Sequence, residues 1–165
     1  MTKTFFERVT EYLPLSHGAP SGYSTEEIEV LERVYAFRAV GMLREFLMSM
    51  GRSAGGVLCR DESLLYFSEF DLRDHLIFQY DFVQNLRKTD NHDHIEMPFV
   101  FGLLAETQYC FVKTSSDDAD LVYIFDSNEG VVTSTEQNLV SFLRSLVVSN
   151  MQYGLHEESG DLLRL

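Results

Sequence analysis

A chain of 165 residues, 45% of them hydrophobic, is long enough to bury a core as one domain, hiding roughly 70% of its unfolded surface without disulfides or metal. Thirteen basic residues against twenty-six acidic ones give a net charge of −13, which repels nucleic acid and anionic membrane, favours basic protein partners and keeps the chain soluble. No run approaches the roughly 18 apolar residues of a membrane span, Met1 to Thr4 open no apolar signal segment, and Cys59 and Cys110 lack metal-type spacing, so a cytoplasmic protein with buried, reduced thiols is expected.

Thr4-Phe5-Phe6-Glu7 is a capping-box pattern, and the apolar residues that follow predict a short amphipathic helix from Thr4 to Leu13, stopped by Pro14. Residues 14–23 turn to Pro, Gly, Ser and His without periodicity, so residues 1–23 read as an N-terminal helix and linker. Ser24-Thr25-Glu26-Glu27 is a second capping box, opening a helix with Ile28, Leu31 and Tyr35 on its stripe. A break at Ala36 to Val40 precedes a further helix carrying Leu43, Phe46, Leu47 and Met50, for which Gly51 predicts a left-handed cap. The glycine pair Gly55-Gly56 marks a turn. After an undefined stretch from Val57 to Phe70, Asp71 caps a long helix to about Arg87 with Leu72, Leu76, Val83 and Leu86 on one stripe, Phe78 and Phe82 beside it.

Beyond the polar segment Thr89 to Glu96 come three apolar runs, Pro98 to Leu104, Tyr109 to Lys113 and Leu121 to Phe125, then a short one at Val131, separated by turn-forming residues. This pattern predicts an antiparallel meander. Period-two alternation puts Phe99, Phe101 and Leu103 on one face with Val100 and Leu104 on the other, and opposes Leu121, Tyr123 and Phe125 to Val122 and Ile124. Both faces are apolar, so the flanking helices must cover them: the fold class is α+β, a small antiparallel sheet covered by α-helices over residues 24–150. Ser134 with Gln137 reads as the start of the last helix, and residues 151–165 as an acidic, solvated tail whose Leu162, Leu163 and Leu165 could dock on a partner or on the body.

The residues carry little chemistry. Asp90-Asn91-His92-Asp93-His94 alternates His and carboxylate as a metal site would, but the strand-like His92-x-His94 pair needs ligands from His17, His75 or His156; a polar loop is the expectation, with no metal and no cofactor. Neither cysteine has a nucleophile motif and no serine sits in a Gly-x-Ser-x-Gly elbow, so no catalytic residue is assigned and no enzyme is expected. From Thr89 to Leu143, ten acids face the single base Lys113, a local net of −9. The loop Asp117-Asp118-Ala119-Asp120 is either a solvated turn or a contact for an Arg or Lys cluster on another protein.

The order of Glu27-Ile28-x-x-Leu31-Glu32, Leu43-x-x-Phe46-Leu47, Gly55-Gly56, Pro98-Phe99, Val122-Tyr123 and Ser141-Phe142-Leu143 resembles the SUKH superfamily, over about three quarters of the chain. Departures from that pattern are Phe37-Arg38-Ala39-Val40 where members carry a Leu-Pro pair, Ala54 in place of an Asn, and the lack of tryptophan. The resemblance implies an immunity protein that binds a cognate secreted toxin, one to one, and occludes its active site or substrate groove without catalysis. With toxins that attack nucleic acid through basic clefts, the acidic turns would make the contact: Asp117, Asp118 and Asp120, then Asp126 and Glu129, then Glu106. The alternatives are an acidic secretion chaperone or a regulatory protein-binding module.

Overall fold

Among the described residues, capping boxes start three of the five α-helices. Thr4, Ser24 and Asp71 each accept from the backbone N–H three residues on, while Glu7, Glu27 and Asp74 bond back to the cap, an arrangement in which each cap contributes about 1 kcal/mol. In the computed structural model, which describes residues 2–13, 18–58, 62–63, 67–150 and 159–165, these helices are α1 (Phe5–Val9), α2 (Thr25–Tyr35) and α4 (Leu72–Lys88), with α3 (Gly41–Met50) between and α5 (Leu139–Asn150) last. The strands are β1 (Glu62–Ser63), β2 (Pro98–Leu104), β3 (Gln108–Lys113), β4 (Leu121–Asp126) and β5 (Val131–Asn138), in one antiparallel sheet ordered as in sequence.

The expected meander covered on both faces is what forms. One face carries Phe99, Phe101, Cys110, Val112 and Val122 under α1, α2, α3 and α5. The other carries Val100, Phe111 and Phe125 under Phe82 and Leu86 of α4. Tyr123 and Phe125 oppose Val122 and Ile124 as alternation requires. In β2 the alternation fails after Val100, because Phe101 is the extra residue of a bulge: Val100 pairs with Phe111 and Gly102 with Cys110. Leu104 therefore joins the face of Phe99 and Phe101, opposite to the assignment from period two.

Other expectations are corrected at element ends. α1 stops at Val9 rather than Leu13: Thr10 leaves helical geometry (φ −98°, ψ 8°), the Leu13 N–H turns back onto the Thr10 carbonyl (2.9 Å) three residues before it, and Tyr12 is exposed. α2, not α3, has the left-handed cap, at Ala36 (φ 52°). Gly51 is right-handed (φ −68°) and is small for another reason: a Cβ there would lie 2.6 Å from the Leu47 carbonyl and 2.9 Å from the Tyr23 ring. On α4, Leu72 and Leu76 are only half-buried, while His75, Phe82 and Leu86 are buried.

The last helix begins at Leu139, not near Ser134. Pairing with β4 and the β-branched run Val131, Val132, Thr133, Thr135 extend β5 to Asn138. The Ser134 and Thr135 hydroxyls accept from the N–H groups of Glu136 and Gln137 inside a bulge, and Asn138 caps α5 through its Oδ1 on Ser141 N–H (2.9 Å). The tail is not wholly solvated either. Leu162 is fully buried in the main core, its N–H given to the Tyr23 hydroxyl (2.8 Å) and its carbonyl taken by the Tyr35 hydroxyl (2.6 Å).

Acidic turns and the groove beside α4

A meander places alternate turns at opposite ends of the sheet, and this divides the predicted acids. Glu106, in the β2–β3 turn, neighbours Asp126 and Glu129 at the β4–β5 turn, where Ser127 N–H bonds the Thr107 carbonyl (3.0 Å). Asp117, Asp118 and Asp120 belong to the β3–β4 turn, one strand length away, roughly 20 Å. The six residues thus form two clusters of three.

Within each cluster some carboxylates are already engaged by the fold. Asp120 Oδ1 accepts from Met42 N–H (2.7 Å) at the start of α3, where Gly41 (φ 52°) leaves the room that a Cβ would take from the Asp120 carboxylate. Asp126 Oδ1 accepts from Asn128 N–H (2.9 Å) and Glu129 N–H (3.3 Å), closing its own turn. Asp117, Asp118, Glu106 and Glu129 are exposed. Among the described residues the one side-chain contact between an acid of the segment Thr89 to Leu143 and a basic group within ion-pair distance is His92 Nε2 to Asp90 Oδ1 (3.5 Å), which is an ion pair only when the imidazole carries a proton. Lys113, the one base of that segment, lies over the Tyr123 ring at 4.7 Å. Among the described residues the negative charge of these turns is therefore uncompensated by any ion pair.

His92 and His94 are not strand-like; they lie in a 3-10 turn. His92 is exposed, whereas His94 packs edge-on against Phe111 and Tyr123 (centroids 6.1 and 5.4 Å), and burial lowers its pKa. His75 packs against Phe67 and Phe70 and is shifted down by burial too. His17, His156 and Cys59 lie outside the described residues, and among those described no group of three His, Cys, Asp or Glu is placed to hold a metal. Cys110 is buried between β2 and β4. No helix among the described residues is long and apolar enough to cross a membrane.

Two features escaped the sequence reading. An open groove of about 350 Å³ runs between the end of α2 and α4, walled by Tyr35, Leu76, Tyr80, Val83 and Met97, with Arg87 the one charged residue lining it. At its floor Gln79 donates to the Val100 carbonyl (2.7 Å) and accepts from Val100 N–H (3.0 Å), so one side-chain amide satisfies the β2 edge as a neighbouring strand would. The signal was present: Gln79 stands at a stripe position, between Leu76 and Val83. The second is a clasp in which Arg52 meets Glu27 through two bonds (2.9 and 2.8 Å), Asp161 (3.4 Å) and the face of Tyr23 (4.1 Å). Arg52 holds Glu27 down to a pKa of about 2; burial raises Tyr23. Nothing in the local spacing joins residues 27, 52 and 161.

Comparison with protein-family models, with curated proteins and with solved structures returns no match to this chain.

Proposed function

We propose that this chain is a non-enzymatic immunity protein of the SUKH type, which works in the cytoplasm by binding a cognate secreted toxin one to one and covering its active site or substrate groove. The observation that carries this reading is the uncompensated acidity of the two turn clusters. Eight of the ten acids from Thr89 to Leu143 are exposed, and four of them, Glu106, Asp117, Asp118 and Glu129, stand on turns held between paired strands, so those four charges are presented at fixed positions and lose little entropy on binding. A fixed acidic surface suits a basic nucleic-acid cleft and accelerates capture of its owner. The resemblance of the helix and strand motifs to the SUKH pattern supports the same reading.

The test begins with the tagged protein in its native host. A large secreted protein should be recovered whose C-terminal domain alone forms a one-to-one complex and loses its toxicity; a client held only while unfolded would instead make the chain a secretion chaperone. With that domain in hand, Asp117→Ser with Asp118→Ser should slow association severalfold at low salt and flatten its salt dependence, leaving dissociation nearly unchanged. Asp120 is left intact because it caps α3. Unchanged association would remove the β3–β4 turn from the interface.

A further inference from the structure

The two edges of this sheet are finished differently. On the first edge, β1 pairs with β2 at Leu103 and Leu104 among the described residues, Pro98 has no N–H to offer, and the Gln79 amide occupies both polar groups of Val100. On the far edge stands β5. It pairs with β4 from Asp126↔Val131 to Tyr123↔Ser134, and among the described residues no strand pairs with its other side. Val131 to Thr135 contains no charge, no proline and no glycine. Thr133 and Ser134 point to opposite faces of the sheet and both are exposed, so the layers above and below do not overhang the edge there. Val131, at the start, is 51% exposed.

The charges sit at the two ends of this run. Glu129 precedes it in the turn, and Glu136 follows it at the bulge, left-handed (φ 58°) and exposed, with no ion pair to either among the described residues. An uncharged strand edge of five residues, roughly 17 Å long, is thus bracketed by two carboxylates. The complementary object is an extended segment, β-branched or small and polar in the middle, with Lys or Arg at each end.

We propose that the outer edge of β5 is a strand-addition site for such a basic-flanked extended segment of a protein partner. Main-chain hydrogen bonds from Val131 to Thr135 supply the attraction, and Glu129 and Glu136 set register by meeting the flanking cations. A second copy of this chain is the poorer occupant, since two molecules of charge −13 repel and β5 offers its copy no cation. The natural occupant rests on the partner-binding reading above, being a segment of that partner; the test does not.

The probe is the capped synthetic peptide Lys-Thr-Val-Thr-Val-Thr-Lys, titrated into the full chain and followed by amide NMR. At a peptide concentration about ten times its Kd, exchange of the outward-facing β5 amides should slow about tenfold, with shifts confined to β5, β4 and the flanking turns. N-methylation of alternate peptide residues should abolish the protection, and Glu129→Gln with Glu136→Gln should weaken the lysine peptide without affecting one flanked by Gln. Protection that survives N-methylation, shifts centred on Asp117 and Asp118, or no protection at millimolar peptide would each overturn the proposal. If the peptide binds at β5 but no toxin is neutralised, the immunity reading fails alone; a one-to-one toxin complex with β5 amides still exchanging freely sinks the strand-addition site alone.

Discussion

The two faces of the sheet are built from the same kinds of side chain but held by different means. The face under α1, α2, α3 and α5 is closed by elements from both ends of the chain, with Phe5, Phe46, Phe101 and Phe142 packed edge to face and Leu162 of the tail inserted beside Tyr23. The other face buries three of its own side chains under two from one long helix, with Phe82 touching Tyr109, Phe111 and Phe125. The contrast teaches that burial of single residues does not measure how strongly a layer is held. Phe46 and Phe82 are equally inaccessible, yet α4 is attached through few anchors, and a layer with few anchors opens below the global free energy.

The largest test removes those two rings. Phe46→Ala and Phe82→Ala should each cost about 3–5 kcal/mol in denaturant unfolding, but native-state hydrogen exchange should separate them. Loss of Phe46 lowers protection throughout; loss of Phe82 lowers it chiefly in α4, leaving α3 with most of its protection. Equal loss in α3 and α4 on removing Phe82 would make the two faces one cooperative unit and dissolve the comparison.

A smaller effect isolates the polar anchor of α4. Gln79→Leu keeps an apolar stem in the stripe but orphans the N–H and C=O of Val100, a residue with no exposure, at about 2 kcal/mol. Gln84→Leu, five residues on in the same helix and half-buried, is the control and should stay within about 0.5 kcal/mol. If both substitutions cost the same small amount, the Gln79 amide is exchangeable with water and α4 is held by its rings alone.

Legibility in the sequence followed the range of the interaction. Capping boxes at Thr4, Ser24 and Asp71 are complete within four residues, and the apolar runs of β2, β3 and β4 state their own alternation, so helix starts and the meander could be read directly. The start of α5 was misread because Ser134 and Gln137 satisfy the same local pattern; only pairing with β4 decides that their hydroxyl and backbone groups serve a bulge. A one-residue bulge at Phe101 likewise turned Leu104 to the other face. For the candidate site, the acids were legible as charges but their division between two ends was not, nor that Asp120 and Asp126 bond backbone N–H groups, one of them 78 residues away. β1 and the Arg52 clasp depend on distant partners and leave no local trace.

The finest test uses acid, because the two faces carry titrating groups of opposite sense. On the α4 side His75 and His94 each have a buried ring nitrogen, Nε2 and Nδ1, without a hydrogen-bond partner among the described residues. Burial lowers both pKa values, aided at His94 by Lys113 and opposed by Asp93, and opposed at His75 by Asp74, Asp161 and Asp71. A histidine whose folded pKa lies below the unfolded value near 6.5 contributes its full stability above that pH, since the unfolded chain takes up more protons as pH falls through it. That contribution drains until the lowered folded pKa is passed. Across the sheet, Glu27 is held at about 2 by Arg52 and by its bond to the Ser24 backbone, against 4.5 ordinarily, so its contribution is intact above about 4.5 and is lost only toward pH 2. Between about pH 6.5 and 4.5 acid should therefore weaken α4 alone, seen as faster exchange of its amides at pH 5 than at pH 7 after correction for intrinsic rates, with α3 unchanged. His94→Phe, which keeps a ring against Phe111 and Tyr123, should remove part of that dependence. Equal corrected protection of α4 at the two pH values would mean that both imidazoles are charged without penalty, and that the thinner face is no more sensitive to acid than the thicker one.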